Sequence, residues 1–153
     1  MIIDINILLA WGAVYKKIGR GEVIFSEGSE CSYYNQLVSG IVKWVNIDDD
    51  GKEYIQTMIE PGECFGELPL FDDGLYAASA IAEEEVVLIR LRKNTFLQLI
   101  KEHNEIHFAF TKLLAKRVRF KFLLLKSIAY HAPEVRISTL LSYLKKEHKI
   151  ISD

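Results

Sequence analysis

Between Asn104 and Tyr130 the chain runs for about seven turns at 3.6 residues per turn without a glycine or a proline. Ile106, Phe110, Leu113, Leu114, Phe120, Leu124 and Ile128 recur there at helical spacing. The pattern predicts one amphipathic helix, roughly 40 Å long at 1.5 Å per residue. A helix of that length outruns a small domain, so its apolar face needs a partner. The expected partner is the same helix of a second subunit, met through Phe110, Leu113, Leu114, Arg117, Phe120, Leu124 and Ile128. The alternative is a helix packed across the region before it.

That region has a different grain. "EVIF" (Glu22–Phe25) precedes the turn cluster "SEGS", and "DDDG" (Asp48–Gly51) precedes "YIQTMI" (Tyr54–Ile59). "YNQLVSG" and "IVKWVNI" (Ile41–Ile47) flank Ser39-Gly40, a hairpin signal. "AASAIA" and "VVLIRL" complete the series on either side of Glu83–Glu85. Short strands with glycine turns at this spacing predict a small barrel, roll or sandwich. From Lys93 the pattern turns helical: "KNTFLQLIKEH" reads as a short helix, followed by the long one. "HAPEVR" ends the long helix, and a last helix, "EVRISTLLSYLKKEH", carries Val135, Ile137, Leu140, Leu141 and Leu144 on one face.

The 153 residues suit one domain with an appendage, and a half-hydrophobic composition supplies an ordinary core. Two cysteines, Cys31 and Cys64, are too few for a disulfide framework and fit a reduced, cytoplasmic setting. No apolar run approaches the roughly 20 residues of a membrane span. The net charge of −2 conceals an asymmetry. Residues 1–100 are strongly acidic and residues 101–153 basic, which suggests two regions with different partners or with complementary surfaces.

The stretch "PGECFGELPLFDDGLYAASA" (Pro61–Ala80) looks built for a small phosphorylated ligand. Gly66 allows close approach to the backbone, and free N–H groups at a helix start attract an anion. Glu67 can accept hydrogen bonds from a sugar hydroxyl. The order "GEVIFSEGSECSYYNQLVSGIVKW", "DDDGKEY", "PGECFGELPLFDDGLYAASA", strand and long helix resembles the cyclic-nucleotide-binding domain. More narrowly, it is similar to the sensor half of catabolite-activator/fumarate-nitrate (Crp/Fnr) regulators, from about Tyr15 to Leu144.

The resemblance implies an α+β fold: an antiparallel β-roll of the double-stranded β-helix or jelly-roll type, with flanking helices and a long C-terminal dimerisation helix. It implies a roll with short flanking helices over residues 1–103, the dimer helix over 104–131, and the start of a winged-helix DNA-binding domain, truncated, over 132–153. The effector pocket falls on Phe65, Gly66, Glu67, Leu68, Tyr76, Ala77 and Ala78, with Lys121 and Phe122 from the long helix. In the family the glutamate of this motif holds the ribose and a later arginine clamps the phosphate. Here Tyr76 stands at the arginine position. A tyrosine offers one neutral donor where arginine offers charged bidentate bonds, a loss of roughly 10- to 100-fold in affinity. Three readings stay open: weak cyclic-nucleotide binding, a less anionic effector, or a frame plugged by Tyr76 and Phe122. Glu67 has a structural alternative, a carboxylate capping local N–H groups.

The expected function is effector sensing and dimerisation in a regulator that reads DNA through a further C-terminal domain, with a cyclic nucleotide or another small effector and no enzymatic activity. The alternative is a stand-alone or kinase/channel-type regulatory module. Residues 1–102 hold no histidine, which argues against a cupin-type metal enzyme. His103 and His107, four apart, have zinc spacing but no third ligand in sequence. Two cysteines cannot follow the four-cysteine iron–sulfur pattern of redox sensors in the family. The basic run "KLLAKRVRFKFLLLK" reads as charge flanking an apolar seam.

Overall fold

The computed structural model of the chain describes residues 1–129 and 133–151. The chain divides into two compact units, Met1–His107 and Phe108–Asp153.

The first unit is an antiparallel roll of two four-stranded sheets. One sheet has the order β1 (Val14–Ile18), β8 (Val86–Arg92), β3 (Tyr33–Ser39), β6 (Cys64–Phe65). The other has the order β2 (Val23–Phe25), β7 (Ser79–Ala82), β4 (Val42–Ile47), β5 (Glu53–Ile59). Between them lies an apolar core of Ile18, Leu37, Val42, Ile59, Phe65, Ala80, Ala82, Val86 and Leu88. The period-two alternation of each strand sends these residues inward.

The hairpin expected across Ser39-Gly40 does not form. Instead β3 pairs with β6 and β8, while β4 pairs with β5 and β7, so this corner carries the chain from one sheet to the other. Gly40 takes a φ of 87°, and a Cβ there would sit 2.6 Å from the Glu85 carbonyl oxygen. The dipeptide therefore marks a crossing under a neighbouring backbone, for which only glycine has room.

Three short elements escape the sequence pattern: α1 (Ile5–Ala10), capped by Asp4 through the Asn6 N–H, the two-residue β6, and α2 (Leu68–Asp72) inside the roll. Helix α3 (Lys93–Glu102) buries Phe96, Leu99 and Ile100, and Phe96 stacks on Tyr34 at 4.9 Å. Gln36 is fully buried and ties the N-terminus down: Ile3 N–H donates to its Oε1, and its Nε2 donates to the Ile3 carbonyl.

Helix α4 (Asn104–Ala129) follows α3 after one residue, and α5 (Pro133–Ile151) comes next. Residues 130–132, including Ala132 of the "HAPEVR" break, lie outside the described residues. Within the second unit Phe120 meets Tyr143 at 5.6 Å, and the Tyr143 hydroxyl donates to the Lys116 carbonyl. Along α5, Ile137, Leu141 and Leu144 are exposed and Leu140 is half-buried; the Val135 side chain lies outside the described residues. No helix among the described residues is long and apolar enough to cross a membrane.

Candidate functional site

The loop from Gly62 to Ala80 is held by contacts distant in sequence. Gly66 follows β6 with a φ of 67°. Glu67 sits at the N-terminal end of α2, and Pro69 lies in its first turn. The far end of α2 is fixed by Lys93, whose ammonium donates to the Pro69 carbonyl at 2.7 Å and to Asp73 Oδ1 at 2.8 Å. That lysine answers the acidic pair Asp72-Asp73 from the start of α3, 20 residues further on. The "SEGS" turn then anchors Tyr76 on both backbone sides: Gly28 N–H donates to the Tyr76 carbonyl, and Tyr76 N–H to the Ser29 carbonyl.

So positioned, the Tyr76 side chain is only 5% exposed. Its ring stacks on Phe25 at 3.7 Å and 7°, and Phe25 in turn stacks on Phe65 at 5.9 Å. Together they cover Gly66. A Cβ on Gly66 would lie 2.5 Å from Phe25 Cζ and 2.9 Å from Tyr76 Cε1. The bare α-carbon that suits a close phosphate approach is here occupied by two aromatic rings.

Burial pushes the Tyr76 hydroxyl well above the usual phenol range, and a hydrogen bond with the Cys31 thiol adds to the shift. Tyr34 is raised too, first by burial and then by its electrostatic interaction with Cys64 and Glu67 nearby. Both groups should therefore stay protonated well above pH ~10 and ionise only when the chain unfolds. Their raised folded values mean that stability is intact below the unfolded value of about 10 and declines as pH climbs beyond it. Following phenolate absorbance against circular dichroism checks this; two early-titrating buried tyrosines would contradict it.

The remaining expected site residues differ in exposure. Phe65 and Ala78 are buried, Leu68 and Ala77 are exposed, and the Ala77 carbonyl accepts a hydrogen bond from Asn46 Nδ2. Glu67 is 1% exposed and makes no side-chain cap hydrogen bond on α2. Lys121 and Phe122 are both exposed on α4, and Phe122 retains 68% of its surface.

Helix α4 carries a second apolar stripe that the expected dimer set omits. Phe108, Thr111, Ala115, Val118, Phe122, Leu125 and Ala129 are all exposed and are spaced alternately by three and four. That is a heptad seam, with Phe108, Ala115, Phe122 and Ala129 at one core position and Thr111, Val118 and Leu125 at the other. Of the expected set, Phe110 is fully buried, Leu113, Leu114, Arg117, Phe120 and Leu124 are half-buried, and only Ile128 is exposed. The alternating spacing was the available signal.

His103 pairs with Glu105 at 3.1 Å and meets Trp11 edge-on, while His107 is exposed. Among the described residues no group of three His, Cys, Asp or Glu side chains is placed to hold a metal.

Residues 15–103 match the cyclic nucleotide-binding domain model. The chain belongs to the cyclic nucleotide-binding domain family. The cyclic AMP receptor protein of Thermus thermophilus is 30% identical over 128 residues, covering 84% of this chain and 59% of that protein. A CRP-like cAMP-activated global transcriptional regulator of Mycobacterium tuberculosis is 32% identical over 100 residues, 65% of this chain and 45% of its own. The solved catabolite activator protein of T. thermophilus superposes with a TM-score of 0.74 at 29% identity, over 82% of this chain and 58% of that one. The chain thus spans about half the length of the relatives it matches. In this member of the cyclic nucleotide-binding domain family, two aromatic rings lie over the loop glycine Gly66.

Proposed function

We propose that this chain is the effector-sensing and dimerisation part of a CRP-like transcription regulator whose loop no longer clamps a cyclic phosphate. The observation that carries the second half is the Phe25–Tyr76 stack over Gly66. An anion at that α-carbon would have to displace two packed rings and would find no arginine in exchange. The first half rests on the relatives and on the exposed heptad of α4. Burying Phe108, Val118, Phe122 and Leu125 against a second copy stabilises by roughly 1.5–3 kcal/mol per fully buried side chain. DNA reading falls to a winged-helix domain that α5 opens. An effector acts by biasing how the two α4 helices pair, a shift of population between two arrangements.

Calorimetry tests the ligand reading. The unmodified chain is expected to bind cyclic AMP and cyclic GMP more weakly than ~1 µM. Tyr76→Arg restores a charged partner that can still lie on the Phe25 face, and should tighten binding by roughly 10- to 100-fold. Sub-micromolar binding by the unmodified chain would overturn the proposal.

A further inference from the structure

The inner face of one sheet changes character along its length. Ile18 on β1, Leu88 on β8 and Leu37 on β3 belong to the core. Two residues further along each strand, and so on the same face, stand Lys16, Arg90 and Asn35. They line a cleft of about 330 Å³ at the mouth of the roll, closed on its other side by Phe25 and Tyr76. Cations on an inward-facing register position call for a purpose, because such positions are ordinarily apolar.

Arg90 is pre-oriented. Its guanidinium lies over the Tyr33 ring at 4.3 Å, which fixes its plane and leaves the in-plane N–H groups directed elsewhere. Its Nε is shielded from solvent and meets no hydrogen-bond acceptor among the described residues. Neither Arg90 nor Lys16 forms an ion pair among the described residues. A shielded guanidinium donor without an acceptor is costly unless an acceptor arrives from outside. Glu22 and Glu30 also border the cleft, both exposed, so the two cations do not leave the lining strongly positive. With two carboxylates against two cations the lining as a whole is neutral, which disfavours polyanions, while the cation pair itself offers one carboxylate its donors.

We infer that the cleft between Lys16, Arg90 and the Phe25–Tyr76 pair binds a small singly charged organic anion, with its carboxylate on Arg90 and Lys16 and its apolar body on the aromatic wall. The volume fits a metabolite of modest size and excludes little besides large nucleotides. The same two rings cover Gly66 on their other side, so an occupant pressing on Tyr76 acts on the loop of residues 62–80 without entering it. The site itself does not depend on the regulatory reading; only this consequence does.

The test is an NMR titration of the full chain with sodium benzoate, and separately with inorganic phosphate. Saturable benzoate shifts centred on Lys16, Tyr33, Tyr76 and Arg90, weakened at least tenfold by Arg90→Met, are the expected result. Lys16→Met, on an exposed strand position, should weaken binding severalfold and serves if the Arg90 variant fails to fold. Lys17→Met, on the opposite face of β1, should leave binding unchanged. Phosphate binding without benzoate binding would overturn the organic-anion assignment. No saturable shift with either probe, or shifts indifferent to Lys16→Met and Arg90→Met, would overturn the site. Cyclic AMP binding in calorimetry bears only on the loop, so the two proposals fail separately.

Discussion

Phe122→Glu is expected to leave the chain monomeric at concentrations where the proposed seam makes the unmodified protein a dimer. Phe122 is 68% exposed in the single chain and sits mid-seam, flanked by Val118 and Leu125 one turn away on each side. In a two-fold pair each substitution acts twice. It removes two buried aromatic side chains, roughly 1.5–3 kcal/mol each, and sets two like charges against an apolar seam. The sum weakens association by about a thousandfold or more. Sedimentation equilibrium across ~1–100 µM reads it directly. Ile128→Glu makes the comparison sharp, because Ile128 is just as exposed but lies outside the alternating spacing. If the Ile128 variant dissociates and the Phe122 variant does not, the helices pair along the other stripe.

Gly66→Ala should be, with Gly40→Ala, among the most destabilising single-methyl changes in the roll. Two effects add. The residue holds a φ of 67°, which costs an alanine on the order of 1 kcal/mol. The new methyl also stands 2.5 Å from Phe25 Cζ and 2.9 Å from Tyr76 Cε1, within a stack that has little freedom to move. Overpacking of this kind costs about 1–3 kcal/mol. A total of roughly 2–4 kcal/mol lowers the melting temperature on the order of 10 °C for a chain of this size. Adding Phe25→Leu should recover the packing share and leave the backbone share, which a double-mutant cycle separates. A Gly66→Ala variant that melts with the unmodified protein would mean the rings do not occupy the glycine.

The strand regions were legible because period-two alternation bounded by Gly turns is a local signal: β4, β5 and β8 fall within a residue of the runs that announce them. The pairing was not local, and so Ser39-Gly40 was misread. A turn between two alternating runs looks the same whether the runs pair with each other or part to different sheets. In the loop, Gly66, Glu67 and Tyr76 were legible, Tyr76 as a candidate plug. The ring it packs on was not, since Phe25 lies far from Tyr76 in sequence and the "SEGS" turn that docks Tyr76 announces only a turn. Lys93 escaped notice for the same reason. On α4 both stripes were in plain view. They differ in period: about 3.6 suits packing within a chain and 3.5 suits the pairing of two helices, which is why the exposed stripe is the one we propose as the seam. Phe120 lying against Tyr143 accounts for part of the cover on the first.

The crossing at Gly40 also bears on how the roll is reached from the unfolded chain. Because that corner separates β3 from β4, the sheet containing β3 must wait for β8, and β1 must find β8 as well, with Val14 opposite Arg90. The early part of the chain has no sequence-adjacent strand to close upon in that sheet. Loop-closure entropy is spent before these ladders return anything, which places such a roll towards the slow end of single-domain folding, at milliseconds to seconds. During translation β1 and β3 emerge well ahead of their shared partner, and their unpaired edges are the surface open to mispairing until residue 92 has been made.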